Sequence, residues 1–249
     1  MLSSNGIIQP QPSVKTAGID GSKAGWIAVS ITDEETNFWL IDSTDKLRFM
    51  FDAFDLCLID VPIGMEEDKA TRTCDDLLRR VLGTAYRASV FSPPVRAALI
   101  TNEYQAGSAI NFAKTGKKLS KQSWNITPKI KQVDELLQAD KRRGERVRES
   151  HPELLFKKLN RGGAPLEKKK TEQGLAQRLE LLTNADSRMG ELFKEMRASF
   201  KKGQAKDDDL LDALVLAYTA YLSISKPLRT LPIPPENDRT GLPMAIHFV

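Results

Sequence analysis

Hydrophobic residues follow two different rhythms along the chain. In the first third they alternate or run together over short stretches, the patterns of half-buried and fully buried β-strands. Val14 to Asp20 passes from alternation into the apolar Ala17-Gly18-Ile19 and ends on an acid. Gly21-Ser22-Lys23-Ala24-Gly25 reads as a turn, Trp26 to Ile31 alternates again, Thr32 to Asn37 carries turn chemistry, and Phe38 to Ile41 predicts a third strand. Leu47, Phe49, Met50 and Phe54 then space as a helical face over Lys46 to Phe54. Leu56 to Ile59 is a continuous apolar run suited to a buried parallel strand. It too ends on an acid, Asp60, before Pro62 and Gly64 stop it.

From Asp68 to about Asp140 the spacing becomes helical, with Leu77, Leu78, Val81 and Leu82 on one face and Ile130, Val133, Leu136 and Leu137 on another. This predicts a helical insertion over 68–140, broken by a rigid loop, Ser89 to Pro94, that ends in Pro-Pro. Arg146 to Glu149 predicts a short strand, and Pro152 sits where a first helical turn tolerates proline. Helices are predicted over Leu154–Leu159, Lys170–Leu182, Met189–Ser199 and Asp208–Ile224. Residues 1–14 read as a flexible N-terminal arm, 15–225 as one domain and 226–249 as a Pro-rich C-terminal tail. Three strands, a helix, a strand, a helical excursion, a short strand and closing helices make the RNase H-like order. The expected fold is α/β, with a mixed sheet of antiparallel meander plus parallel strands flanked by helices.

Composition narrows this picture only slightly. A chain of 249 residues with 41% hydrophobic side chains can fill one core. It has no run of about 18 apolar residues that would predict a membrane span, and residues 1–14 lack the basic-then-apolar pattern of a secretory signal. Two cysteines, Cys57 and Cys74, form neither a disulfide framework nor a metal-ligand spacing, and read as buried small hydrophobes. The expected compartment is the cytoplasm. A net charge of +4 permits contact with phosphates without requiring it.

The candidate chemistry lies in the carboxylates. Asp20 and Asp60 each end a predicted strand, and the ends of neighbouring strands in an open α/β sheet converge on one crevice. Asp209 and Asp212 lie three apart at the start of an apolar helix and project from nearly the same face. A charge set among Leu210, Leu211, Ala213 and Leu214 is costly without a partner. Clustered carboxylates repel as bare anions, and Mg²⁺ or Mn²⁺ relieves that repulsion. Such sites hydrolyse phosphodiesters without cysteine or histidine ligands. Taken alone, Asp207-Asp208-Asp209 reads as helix capping, and Asp20 and Asp60 read equally as turn residues. The joint pattern is what points to a metal centre.

Several spaced motifs resemble the domain of unknown function 429 family, described as predicted nucleases of the RNase H fold. They include Gly18-Ile19-Asp20-Gly21 with Gly25-Trp26, Ile59-Asp60-Val61-Pro62-Ile63-Gly64, Arg72 through Cys74-Asp75 to Arg79, and Ser89 through Pro93-Pro94 to Arg96. Further matches are Leu119-Ser120-Lys121-Gln122, Pro128-Lys129-Ile130 with Val133-Asp134, Glu149 with His151-Pro152-Glu153, Lys169-Lys170-Thr171 with Gly174, and Asp208 to Leu214. The closing helix is also similar to that of Holliday-junction resolvases of the same superfamily. The resemblance implies a metal-dependent nuclease acting on DNA or RNA, with Asp20, Asp60, Asp209 and Asp212 as metal ligands. It also implies Glu149 as a fifth, with Glu153 or Asp208 as alternatives for its part. Junction resolvases being dimers, a homodimer is a possible state.

His151 has two readings, a general acid beside the metals or a cap of the following helix. Arg72, Arg96, Lys129 and Lys170 are candidate phosphate contacts, and Arg79 and Arg87 weaker ones; each also reads as an ordinary solvated charge. Trp124 reads as a base-stacking surface or as core packing. The competing function is a non-catalytic binder of nucleic acid or nucleotide on the same fold. A small phosphorylated substrate fits less well, since the C-terminal half has no convincing Gly-rich phosphate loop.

Overall fold

A computed structural model describes residues 14–249. The N-terminal arm expected over 1–14 lies almost wholly outside these residues. Three antiparallel strands open the domain: β1 (Thr16–Ser22), β2 (Gly25–Ile31) and β3 (Thr36–Ile41). Then come α1 (Thr44–Ala53), β4 (Leu56–Ile59), α2 (Thr73–Tyr86), α3 (Tyr104–Thr115), α4 (Lys121–Ala139), the single turn α5 (Arg143–Arg146) and β5 (Val147–Glu149). Helices α6 (Pro152–Leu159), α7 (Glu172–Ala185), α8 (Met189–Ser199) and α9 (Asp207–Leu222) precede a hairpin of β6 (Arg229–Asn237) and β7 (Pro243–Phe248).

The main sheet has the order β3-β2-β1-β4-β5, antiparallel among the first three strands and parallel from β1 to β4 to β5. This mixed sheet between helical layers is the RNase H-like arrangement that the element order predicts. Successive side chains point to opposite faces, and the core divides accordingly. Ile27, Val29, Ile31 and Leu58 pack under α2, α6, α7, α8 and α9. Ile19, Trp26, Ala28, Ile59 and Val147 pack under α1 and α4.

Helix α9 is apolar all round and buried from Leu210 to Ala220, the mark of a central helix. It lies directly on β1. A Cβ at Gly18 would stand 2.0 Å from the Ala217 backbone nitrogen, so only glycine permits this approach. The Pro-rich stretch predicted as a tail is instead a strand pair whose β7 is buried against α2 and β5. No helix among the described residues is long and apolar enough to cross a membrane.

Candidate metal centre

Register places the first two acids side by side. Ile19 of β1 pairs with Ile59 of β4, and the Asp60 N–H donates to the Ile19 carbonyl at 3.1 Å. Ile19 and Ile59 face α1 and α4, so Asp20 and Asp60, each one residue further on, turn toward α9. The third acid comes from that helix. One carboxylate oxygen from each of Asp20, Asp60 and Asp212 lies within 4.8 Å of the others. They line a cavity of about 500 Å³ at the carboxyl edge of the sheet.

Burial makes this cluster expensive. Asp20 is 5% exposed and Asp212 2%. Burial, then the Asp212 and Asp60 charges, hold the Asp20 carboxyl well above the usual range. Burial and Asp212 push Asp60 up to about 7. The counter-charge present is Lys169, whose Nζ donates to Asp212 Oδ2 at 2.6 Å. Burial pulls its ammonium down, but Asp212, Asp20 and Asp60 hold it above the ordinary lysine value. The other Asp212 oxygen, Oδ1, is buried with no hydrogen-bond partner. Three converging carboxylates, with one Asp212 oxygen unpartnered, fit a divalent cation.

Of the remaining predicted site residues, Glu149, Asp209, His151, Arg72, Lys129 and Lys170 line the same cavity and Arg96 does not, but neither Glu149 nor Asp209 belongs to the three converging acids. Glu149 pairs in register with Ile59, so it points away from the face that carries Asp20 and Asp60. Its carboxylate is taken by Arg72 at 2.7 Å through both oxygens and by the Ile63 N–H. Burial pushes it upward while Arg72 opposes. Glu149 thus lines the cavity as the partner of Arg72. The guanidinium is 1% exposed and spends its donors on Glu149, Asp75 and the Ile63 carbonyl, leaving none for a phosphate. Arg96 pairs with Asp134 and Asp238 through its terminal nitrogens, while its Nε is buried without a partner.

Asp209 accepts the Lys206 N–H at 2.9 Å, the capping role, and stands at the cavity rim beside Asp208. Glu153, one alternative to Glu149, binds Arg178 through both oxygens at 2.9 Å. His151 lines the cavity at the N-cap position of α6, yet its side chain makes no cap hydrogen bond and Nδ1 is buried without a partner. Burial, then the Lys169 charge, lowers its pKa and keeps the ring neutral. Lys129 bonds the Gly25 carbonyl and sits 4.4 Å over the Trp26 ring, its tip in the cavity wall. Lys170 is exposed at the rim. Trp124, half-buried, packs edge-on against Tyr104 and over Gly107.

Sequence reasoning passed over Lys169. It sits in a run of three lysines that reads as an exposed helix start, and its one available signal was its place at the head of a matched motif.

These features define an α/β protein of RNase H-like architecture with a buried three-aspartate centre able to hold a divalent cation. The profile of the family described as "Protein of unknown function (DUF429)" matches residues 18–237, and the chain belongs to that family. No curated protein matches the chain, and no solved structure does.

Proposed function

We propose that the chain is a metal-dependent phosphodiesterase of DNA or RNA, working at Asp20, Asp60 and Asp212. The observation that carries this reading is the convergence of those three carboxylates in one cavity with Asp212 Oδ1 unpartnered. Mg²⁺ or Mn²⁺ bound there would supply Lewis-acid activation of water and neutralise charge on the phosphate oxygens. The chain's own residues do the rest. Lys169 places a half-buried ammonium beside the carboxylates, where a phosphate oxygen can take up its remaining donors. Neutral His151 offers Nδ1 as a proton acceptor in the same cavity. Lys129 closes the cavity opposite α9 and adds positive charge without pairing to the triad.

A second reading is a non-catalytic nucleic-acid binder, and Lys169 favours it, because a tethered ammonium already neutralises part of the centre. Mn²⁺ calorimetry on wild type, Asp20→Asn and Asp212→Asn separates the two, followed by a cleavage screen over labelled DNA, RNA and branched substrates. The nuclease reading expects metal binding in wild type, at least about 10-fold weaker binding in each variant, and cleavage that falls with it. Wild type that binds no metal yet holds nucleic acid would leave the binder.

A further inference from the structure

The acid centre is the middle of a longer groove. Its cavity shares Val90 and Phe91 with a recess of about 250 Å³. It shares Lys170, Lys206 and Asp208 with another of about 260 Å³. The first recess is built from the loop after α2 and the start of α4, the second from the α8–α9 connection and the start of α7. Helix α4 packs on one face of the sheet, and α7, α8 and α9 on the other. The three recesses adjoin one another through these shared lining residues.

Charge is distributed unevenly along this path. Eight carboxylates and five lysines or arginines line the central cavity. One flank carries Lys117 and Lys118, and the other Lys202 beside the rim residues Lys170 and Lys206; all five are exposed, and among the described residues none is in an ion pair. Of the two acids in the second flank, Asp207 is already paired with Arg197, which leaves Asp208 against three lysines. Between the centre and the first flank stands Phe91, 38% exposed, on the Ser89 to Pro94 loop. Lys129 and Lys169 stand at the centre itself, and unpaired lysines continue beyond it on both sides.

We propose that this groove seats a single-stranded polynucleotide, with phosphates on both sides of the acid centre held by Lys117/Lys118 and by Lys202/Lys206, and a base stacked on Phe91. A basic track with an aromatic platform is how single strands are held, and an aromatic face takes a base only once it is unstacked. The proposal rests on the reading of the centre as a phosphodiester site and makes the cut internal to a strand. Ends and mononucleotides would fill only part of the groove.

The test is fluorescence anisotropy with labelled dT₁₂ and rU₁₂, the corresponding mononucleotides and a 12-base-pair duplex, in Ca²⁺ and in EDTA, over a salt series. The 12-mers are expected to bind at least about 10-fold more tightly than the mononucleotides, and the tighter of the two names the polymer. Lys117→Glu/Lys118→Glu and Lys202→Glu/Lys206→Glu should each weaken binding at least about 10-fold and flatten the salt dependence by about 0.7 per lost phosphate contact. Phe91→Ala should weaken it about 5-fold or more with the salt slope unchanged, since stacking releases no counterions. Binding indifferent to length, charge-reversal variants that bind as wild type, or a duplex held more tightly than the strands would overturn the groove. Anisotropy needs no turnover, so the two readings fail separately. A chain that cleaves nothing yet binds in this pattern loses the nuclease reading, and one that cleaves while ignoring these residues loses the groove.

Discussion

Burial decides the charge state of the centre residue by residue. Burial, then the Asp212 charge, pushes Asp60 up to about 7 against 3.8 as its ordinary value. An acid whose pKa is raised on folding costs nothing below its unfolded value. The penalty grows as pH rises between the two values and is complete above the folded one. Asp60→Asn should therefore match wild type at pH 4 and exceed it at pH 8, both metal-free, by about 1–2 kcal/mol given that Asp60 is partly exposed. Melting curves would show this as roughly 2–4 °C per kcal/mol; equal melting temperatures at pH 8 would remove Asp60 from the buried cluster. By the same linkage, Mn²⁺ affinity of wild type should rise from pH 5.5 to 8 with proton release, seen by calorimetry in buffers of different ionisation enthalpy. The Arg72–Glu149 pair behaves differently, because each charge there has its partner. Arg72→Leu strands two buried carboxylates, Glu149 and Asp75, and should cost about 3–5 kcal/mol in urea unfolding. Glu149→Gln should destabilise while leaving Mn²⁺ stoichiometry intact, and a lost metal would return Glu149 to the centre.

At the scale of elements, the site exists because α9 touches β1. Gly18 is two residues before Asp20 on the same face, and Ala217 is five residues, about one and a half turns, beyond Asp212, so a single close contact bears on the spacing of both acids. Gly18→Ala should push the helix outward, costing about 1–3 kcal/mol as overpacking. It should weaken Mn²⁺ binding at least about 10-fold even where circular dichroism shows the chain folded; unchanged metal affinity would mean that the acids do not depend on this contact. The strands that carry Asp20 and Asp60 were legible, since each is an apolar run ending on an acid, and Asp212 was legible as a charge inside an apolar helix. Glu149 stands outside the three converging acids for a physical reason. Its place at a strand end resembles that of Asp60, but which face it takes depends on register with β4, and register is not written in a three-residue strand. Lys169 was hidden because nothing local distinguishes it from Lys168 and Lys170; the fold alone brings it against Asp212.

At the scale of the whole molecule, the C-terminal hairpin holds the helical excursion and the sheet edge together. It was illegible as strands because Pro232, Pro234 and Pro235 remove ladder donors and mark a sequence as turn or tail. Its anchors are specific. Asp238 is 8% exposed and accepts from Arg96, the Met65 N–H and its own loop, while Ser150 donates to the His247 carbonyl at 2.8 Å. Met244, Ile246 and Phe248 join the core under α2, and Leu242 joins the core on the other face of the sheet. Removing residues 227–249 thus strips apolar cover from both layers and leaves Arg96 with half its carboxylate partners. Truncation should abolish the cooperative thermal transition and raise binding of a hydrophobic dye, as loss of tertiary packing does. A truncated chain that keeps both its melting temperature and its Mn²⁺ affinity would show the hairpin to be an appendage. The expected collapse would instead place the last 23 residues inside the folding unit, where they brace the loop between β4 and α2 and the segment after β5 that border the acid centre.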